Sequence, residues 1–170
     1  TGTGEEGVLL QGAGTTISSA DGDISITGTS ASVDGIRISD QVVVSSTGTG
    51  AGAGTITLTG SSTATTGNEH GILIQDAGTM ITSVDGNILL TGDSDALDGI
   101  RFNAGAVISS TGTGANAASI TLDGTATNTT SDADGLQLSG AGTQITSVDG
   151  NIVLMGDAQR DEGVQIADGF

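Results

Sequence analysis

Six ionisable residues stand one place before a glycine in the same recurring phrase: Glu6, Asp34, His70, Asp98, Asp134 and Glu162, followed by Gly7, Gly35, Gly71, Gly99, Gly135 and Gly163. If successive units stack in register, these side chains form one column with neighbours about 4.8 Å apart. Carboxylates that close repel one another unless a cation or solvent screens them. The chemistry open to Glu6, Asp34, Asp98, Asp134 and Glu162 is therefore calcium binding by oxygen ligands between successive turns. The competing reading is an exposed turn residue that caps its corner while the following glycine takes a positive φ. The Gly-Gly-x-Gly-x-Asp calcium motif is missing, which favours the turn reading. Calcium is the one cofactor that the residues bring into question.

A second acidic set, Asp21, Asp85 and Asp149, recurs in alternate units beside Asp23, Asn87 and Asn151. Its members would lie two units, about 9.6 Å, apart, too far to share an ion, and Asx-turn chemistry accounts for them. His70 is the only histidine and reads as a solvated turn residue. Arg37 and Arg101 are repeat-equivalent and are expected to pair with Asp34 and Asp98 on the surface, whereas Arg160 shares an acidic corner with Asp157, Asp161 and Glu162. Catalysis gains no support. A glycosidase wants an isolated pair of acids, usually beside aromatic sugar platforms, and here each acidic position recurs with the repeat. The expectation is a protein that is not an enzyme.

What must position these residues is a repeat of 64 residues, opened by Gly7, Gly71 and Gly135 and divided again at Gly35, Gly99 and Gly163. The units are alternately 28 and 36 residues long, and the repeats run over 7–70, 71–134 and a partial 135–170 within one segment, 1–170. Each unit holds three alternating stretches. The first is Gly-Ile36-Arg37-Ile38 and its counterparts; the second centres on Ile17, Val44, Ile81, Ile108 or Ile145, with Ser19, Ser46, Ser83, Ser110 or Ser147 two places on. The third is Ile24-x-Ile26, Ile56-x-Leu58, Ile88-x-Leu90, Ile120-x-Leu122 and Ile152-x-Leu154. Side chains two apart share a strand face, so each complete unit turns five aliphatics one way. This predicts an all-β fold, a right-handed parallel β-helix with three short strands per coil. The extra length of the longer coils falls in corners, chiefly residues 49–54 and 61–70.

An antiparallel array is the rival, because Asp21-Gly22 between alternating stretches is a hairpin signal. The even units replace that turn with the Gly/Ala/Thr segment 47–54, and a 64-residue repeat without Trp or Tyr is thin for a two-sheet core. A hydroxyl ladder for ice binding, promising at Thr55, Thr57 and Thr59, breaks at Asp23, Leu89, Asp123, Val153 and Met155. The serine column is expected to hydrogen-bond the turn backbone.

Composition excludes further classes. A formal net charge of −17, with three arginines and no lysine, repels phosphate and argues against nucleic-acid binding. The lack of cysteine removes disulfide scaffolds and thiolate metal sites. No apolar run reaches membrane-span length and no signal peptide is recognisable. A mean hydropathy of +0.12 and the regular aliphatic spacing argue against disorder.

The phrases Gly-Ile-x-Ile, Ile-Thr-Ser-Val-Asp-Gly-Asn-Ile-x-Leu and Ser-Ser-Thr-Gly-Thr-Gly-Ala resemble the β-helical repeats of very large bacterial surface and secreted proteins, filamentous-haemagglutinin-like adhesins and autotransporter passengers. The resemblance covers essentially the whole chain and implies an extracellular stalk or surface fibre whose partners are neighbouring repeats or like chains. A glycan- or calcium-binding β-helix module is the alternative. Neither end supplies a cap: residues 1–6 echo the corner before Gly71, and Phe170 stands where Val42 and Ala106 stand elsewhere. A segment of a longer array is therefore expected.

Overall fold

Short-range alternation of aliphatic and polar side chains, punctuated by glycine, becomes strand and corner throughout the computed structural model, which describes residues 4–170. The first coil contains β1 (Val8–Leu10), β2 (Thr16–Ser19) and β3 (Ile24–Ser30), and the second β4 (Ile36–Ile38), β5 (Val43–Ser46) and β6 (Ile56–Ser62). Then come β7 (Ile72–Ile74), β8 (Met80–Ser83) and β9 (Ile88–Ser94), followed by β10 (Ile100–Phe102), β11 (Val107–Ser110) and β12 (Ile120–Ala126). The last are β13 (Leu136–Ser139), β14 (Gln144–Ser147), β15 (Ile152–Ala158) and β16 (Val164–Ala167), which opens a further coil. Among the described residues the only helical turn is a 3-10 turn, Gly114–Asn116.

Every third strand pairs with its counterpart, always in parallel, into three sheets ordered β1-β4-β7-β10-β13-β16, β14-β11-β8-β5-β2 and β15-β12-β9-β6-β3. The chain is thus a β-solenoid with three strands per coil, and the antiparallel alternative is discarded. Register follows the repeat: Ile36 meets Ile72, Val44 meets Ile81, and Ile56 meets Ile88. The excess of the longer coils lies where it was expected. Nine residues, 47–55, join β5 to β6 where four, 20–23, join β2 to β3, and nine, 63–71, join β6 to β7 where five, 31–35, join β3 to β4. The expectation at residues 1–6 lies, for Thr1 to Thr3, outside the described residues.

The inner faces carry the five predicted aliphatics per coil. Ile36, Ile38, Val44, Ile56, Leu58, Ile72, Ile74, Ile81 and their successors to Leu138 are buried, and Phe102 fills the place that Ile38 and Ile74 hold elsewhere. Each fully buried side chain of this size contributes about 1.5–3 kcal/mol relative to exposure. In the first and last coils Val8, Leu10, Ile17, Ile145 and Leu154 are only partly covered, because each has a neighbouring coil on one side only.

The third strand runs four residues beyond the predicted Ile-x-Ile phrase, through a glycine at Gly28, Gly60, Gly92, Gly124 or Gly156. That glycine lies in close backbone contact with a coil-opening glycine. A Cβ on Gly60 would overlap the Gly71 carbonyl oxygen and lie 2.6 Å from Ile72 Cγ1. The opening glycines Gly7, Gly35, Gly71, Gly99, Gly135 and Gly163 are not among the residues with positive φ. Close backbone approach, rather than the left-handed turn expected from sequence, is what demands glycine there.

Candidate functional site

At the corner where the third sheet hands over to the first, the backbone leaves the regular ladder and its N–H groups need partners inside the wall. The acidic column supplies them. Asp34 Oδ1 accepts the His70 N–H at 2.8 Å, Asp98 Oδ1 the Asp134 N–H at 3.0 Å, and Asp134 Oδ1 the Glu162 N–H at 3.2 Å. The glycine that follows donates its own N–H to the column carbonyl of the next coil, as Gly35 does to His70 O at 3.0 Å. Each aspartate therefore caps the coil after it, not its own turn. The exposed-turn reading is corrected accordingly: Asp34, Asp98 and Asp134 are 1%, 1% and 2% exposed.

The second oxygens are also engaged. Arg37 holds Asp34 Oδ2 through Nη2 at 2.7 Å and Nε at 2.8 Å, and Nε approaches Glu6 at 3.4 Å. Arg101 reaches Asp98 Oδ2 only at 3.5 Å, and Gln137 donates to Asp134 Oδ2 at 3.2 Å. As calcium ligands, Asp34, Asp98 and Asp134 would have to exchange protein donors for the ion. Glu6 and Glu162 end the column; Asp134, Asp161 and Glu162 bring one oxygen each within 4.8 Å of one another. Arg160 does not join that corner: it pairs with Asp132 Oδ1 at 3.4 Å and donates to the Thr130 carbonyl.

His70 breaks the ladder, since an imidazole in this place offers no carboxylate to the Asp98 N–H. It is 4% exposed, not solvated, and its Nδ1 is buried without a partner. Burial, followed by the charges of Arg101 and Arg37, lowers its pKa from 6.5 to about 3. Burial raises the Asp98 carboxyl to about 6, against the opposing pull of the Asp134 N–H and Arg101. Asp98→Asn keeps the Oδ1 acceptor and discards the charge. It should raise stability at pH 8 by on the order of 1–3 kcal/mol and change little at pH 4. Urea titration at both pH values checks this, and a loss at pH 8 would contradict it.

Two of the alternate-coil acids, Asp85 and Asp149, also act between coils, which corrects the Asx-turn reading for them. Asp85 Oδ2 accepts the Gly50 N–H at 2.6 Å and Asp149 Oδ2 the Gly114 N–H at 2.8 Å, each tying down the long loop of the coil below. Asp23 and Asn87 reach the other way, accepting the Thr55 and Ser119 N–H groups of the coil above, both at 2.8 Å. Three of the five serines bond turn backbone as expected: Ser46 Oγ donates to Gly54 O at 2.6 Å, Ser83 to Gly86 O and Ser110 to Val84 O at 3.1 Å, whereas Ser147 Oγ, in the last full coil, is buried without a partner. A second serine column, Ser30, Ser62 and Ser94, went unread in the sequence. Ser62 Oγ donates to Val33 O at 2.9 Å and Ser94 Oγ to Glu69 O at 2.9 Å. Its signal was present, two residues past the glycine in the first three of the third stretches, with Ala126 and Ala158 at that place in the last two.

On the outer face of the third sheet, Ser25, Thr57, Leu89, Thr121 and Val153 form one row and Thr27, Thr59, Thr91, Asp123 and Met155 the next. The hydroxyl row is interrupted as the sequence indicated. Comparison with protein-family models, curated proteins and solved structures finds no match for this chain.

Proposed function

We propose that this chain is a structural repeat module of a large extracellular bacterial protein, an adhesin stalk or surface fibre that holds length and stiffness outside the cell. The observation that supports it is the use to which the polar side chains are put. The aspartate column, the alternate-coil acids and both serine columns bond one coil to another or brace its turns, at positions that recur along the stack. Groups committed in this way serve continuity of the rod and are not free for catalysis. A parallel solenoid lengthens by about 4.8 Å per coil at constant cross-section, and a chain of net charge −17, most of whose acids lie outside the core, favours solubility and resists edge pairing.

Two measurements test the reading. Small-angle X-ray scattering on this chain and on a version lengthened by a further 64-residue repeat should give one cross-sectional radius and a length increment of about 9.6 Å. A changed cross-section would refute the rod. Antibody raised against the chain should label intact cells of the source organism, and labelling only after lysis would refute the surface location.

A further inference from the structure

Periodic residues serve the scaffold, so the place where the period fails carries the most information. At His70 the aspartate ladder stops, and a cleft of about 400 Å³ opens on the outer face of the first sheet, walled by His70, Leu73, Gln75, Leu97, Arg101 and Asn103. That volume is within the range of small-molecule sites. Two polar atoms in its wall, His70 Nδ1 and Asn103 Oδ1, are buried with no hydrogen-bond partner. Buried polar atoms normally find partners, and leaving one bare is costly. The two repeat-equivalent arginines also part company here. Arg37 is locked to Asp34 at 2.7 Å and flanked by Glu6, whereas Arg101 stands 3.5 Å from Asp98 and lines the cleft.

We propose that this cleft binds a neutral, polyhydroxylated sugar ring. Arg101 can only donate and Asn103 Oδ1 can only accept, so a ligand that engages both, with the buried amide oxygen turning outward to meet it, must present both kinds of group. Vicinal hydroxyls do so. A carboxylate or a fully ionised phosphate monoester group brings no proton for Asn103 Oδ1, and any anion must approach a chain of net charge −17. Leu97 gives the C–H face of a ring an aliphatic surface to lie on, at a place where Leu73 is buried. His70, kept neutral by its surroundings, adds one ring nitrogen that a hydroxyl satisfies as donor or acceptor according to tautomer.

The test is saturation-transfer NMR followed by calorimetry on the whole chain, with glucose, galactose, mannose, N-acetylglucosamine and glucuronate as probes. At least one neutral sugar should bind with a dissociation constant in the millimolar range, as expected for a ligand of so few atoms. Asn103→Leu removes a carbonyl that already lacks a partner, so it should weaken that binding about tenfold or more while the melting temperature holds or rises. Arg37→Gln, in the equivalent place two coils away, should leave binding unchanged. The proposal is overturned if no neutral sugar binds or if glucuronate alone does. Unchanged binding by Asn103→Leu, or a loss in Arg37→Gln equal to that in Asn103→Leu, also overturns it.

Discussion

Gly92→Ala should lose cooperative unfolding or fall by more than about 4 kcal/mol, the range reached only when a substitution strikes something that cannot move. The added Cβ would overlap the Gly99 carbonyl oxygen and lie 2.6 Å from Ile100 Cγ1 and 2.9 Å from the Gly99 carbonyl carbon. Two of those three atoms are backbone. Gly99 is fixed in turn by its N–H bond to Asp134 O at 3.0 Å, so relief in one coil displaces the next. The control is Gly52→Ala, in a loop where an added Cβ meets nothing within 4 Å. There the change should stay within about 0.5 kcal/mol. Circular-dichroism melts and urea titrations of the two variants decide the matter, and a Gly92→Ala chain melting within a few degrees of its parent would sink the argument.

Acid should weaken the parent chain through His70 and should strengthen it once His70 is replaced by leucine. Above pH 6.5 the imidazole is neutral in both folded and unfolded chains, and its full contribution is present. As pH falls, the unfolded chain takes up a proton that the buried His70, with a pKa of about 3, refuses. By pH 3 the loss reaches about 4–5 kcal/mol. Asp98 works in the opposite sense. Its carboxyl is raised from 3.8 to about 6, so the folded chain accepts a proton first, and about 3 kcal/mol is regained between pH 6 and pH 4. In the parent the histidine outweighs the aspartate; in His70→Leu only the aspartate remains of this pair. The difference between the two stability-pH curves isolates His70 from the other carboxylates, and parallel curves from pH 8 to pH 3 would contradict the assignment.

How much of the molecule could be read without coordinates depends on how far each interaction reaches along the chain. Ile36-Arg37-Ile38 declares its inner and outer faces by alternation over three residues. Copies of that phrase at fixed offsets set which strand pairs with which, so Ile36 against Ile72 needed only the repeat. The serine after Val44 or Ile81 was legible for the same reason. The column was legible as a column, with Glu6, Asp34, Asp98, Asp134 and Glu162 at equivalent places, but its role was not. The N–H that Asp34 satisfies belongs to His70, 36 residues later, and no local rule distinguishes an acid capping its own turn from one capping the next coil.

The fold class, the three strands per coil, the 28- and 36-residue coils and the five inward aliphatics were all legible in the residues alone. Those features follow from short-range alternation and from repetition, which a linear string records in full. Packing between coils settled that Asp34, His70, Asp98 and Asp134 of the column are buried and that its glycines answer to close approach instead of positive φ. It alone placed Arg101 beside the unpartnered Asn103 and His70 in one cleft. The physical reason is the same in each case: burial and clearance are set by atoms of the adjacent coil, roughly thirty residues away in sequence and about 4.8 Å away in space.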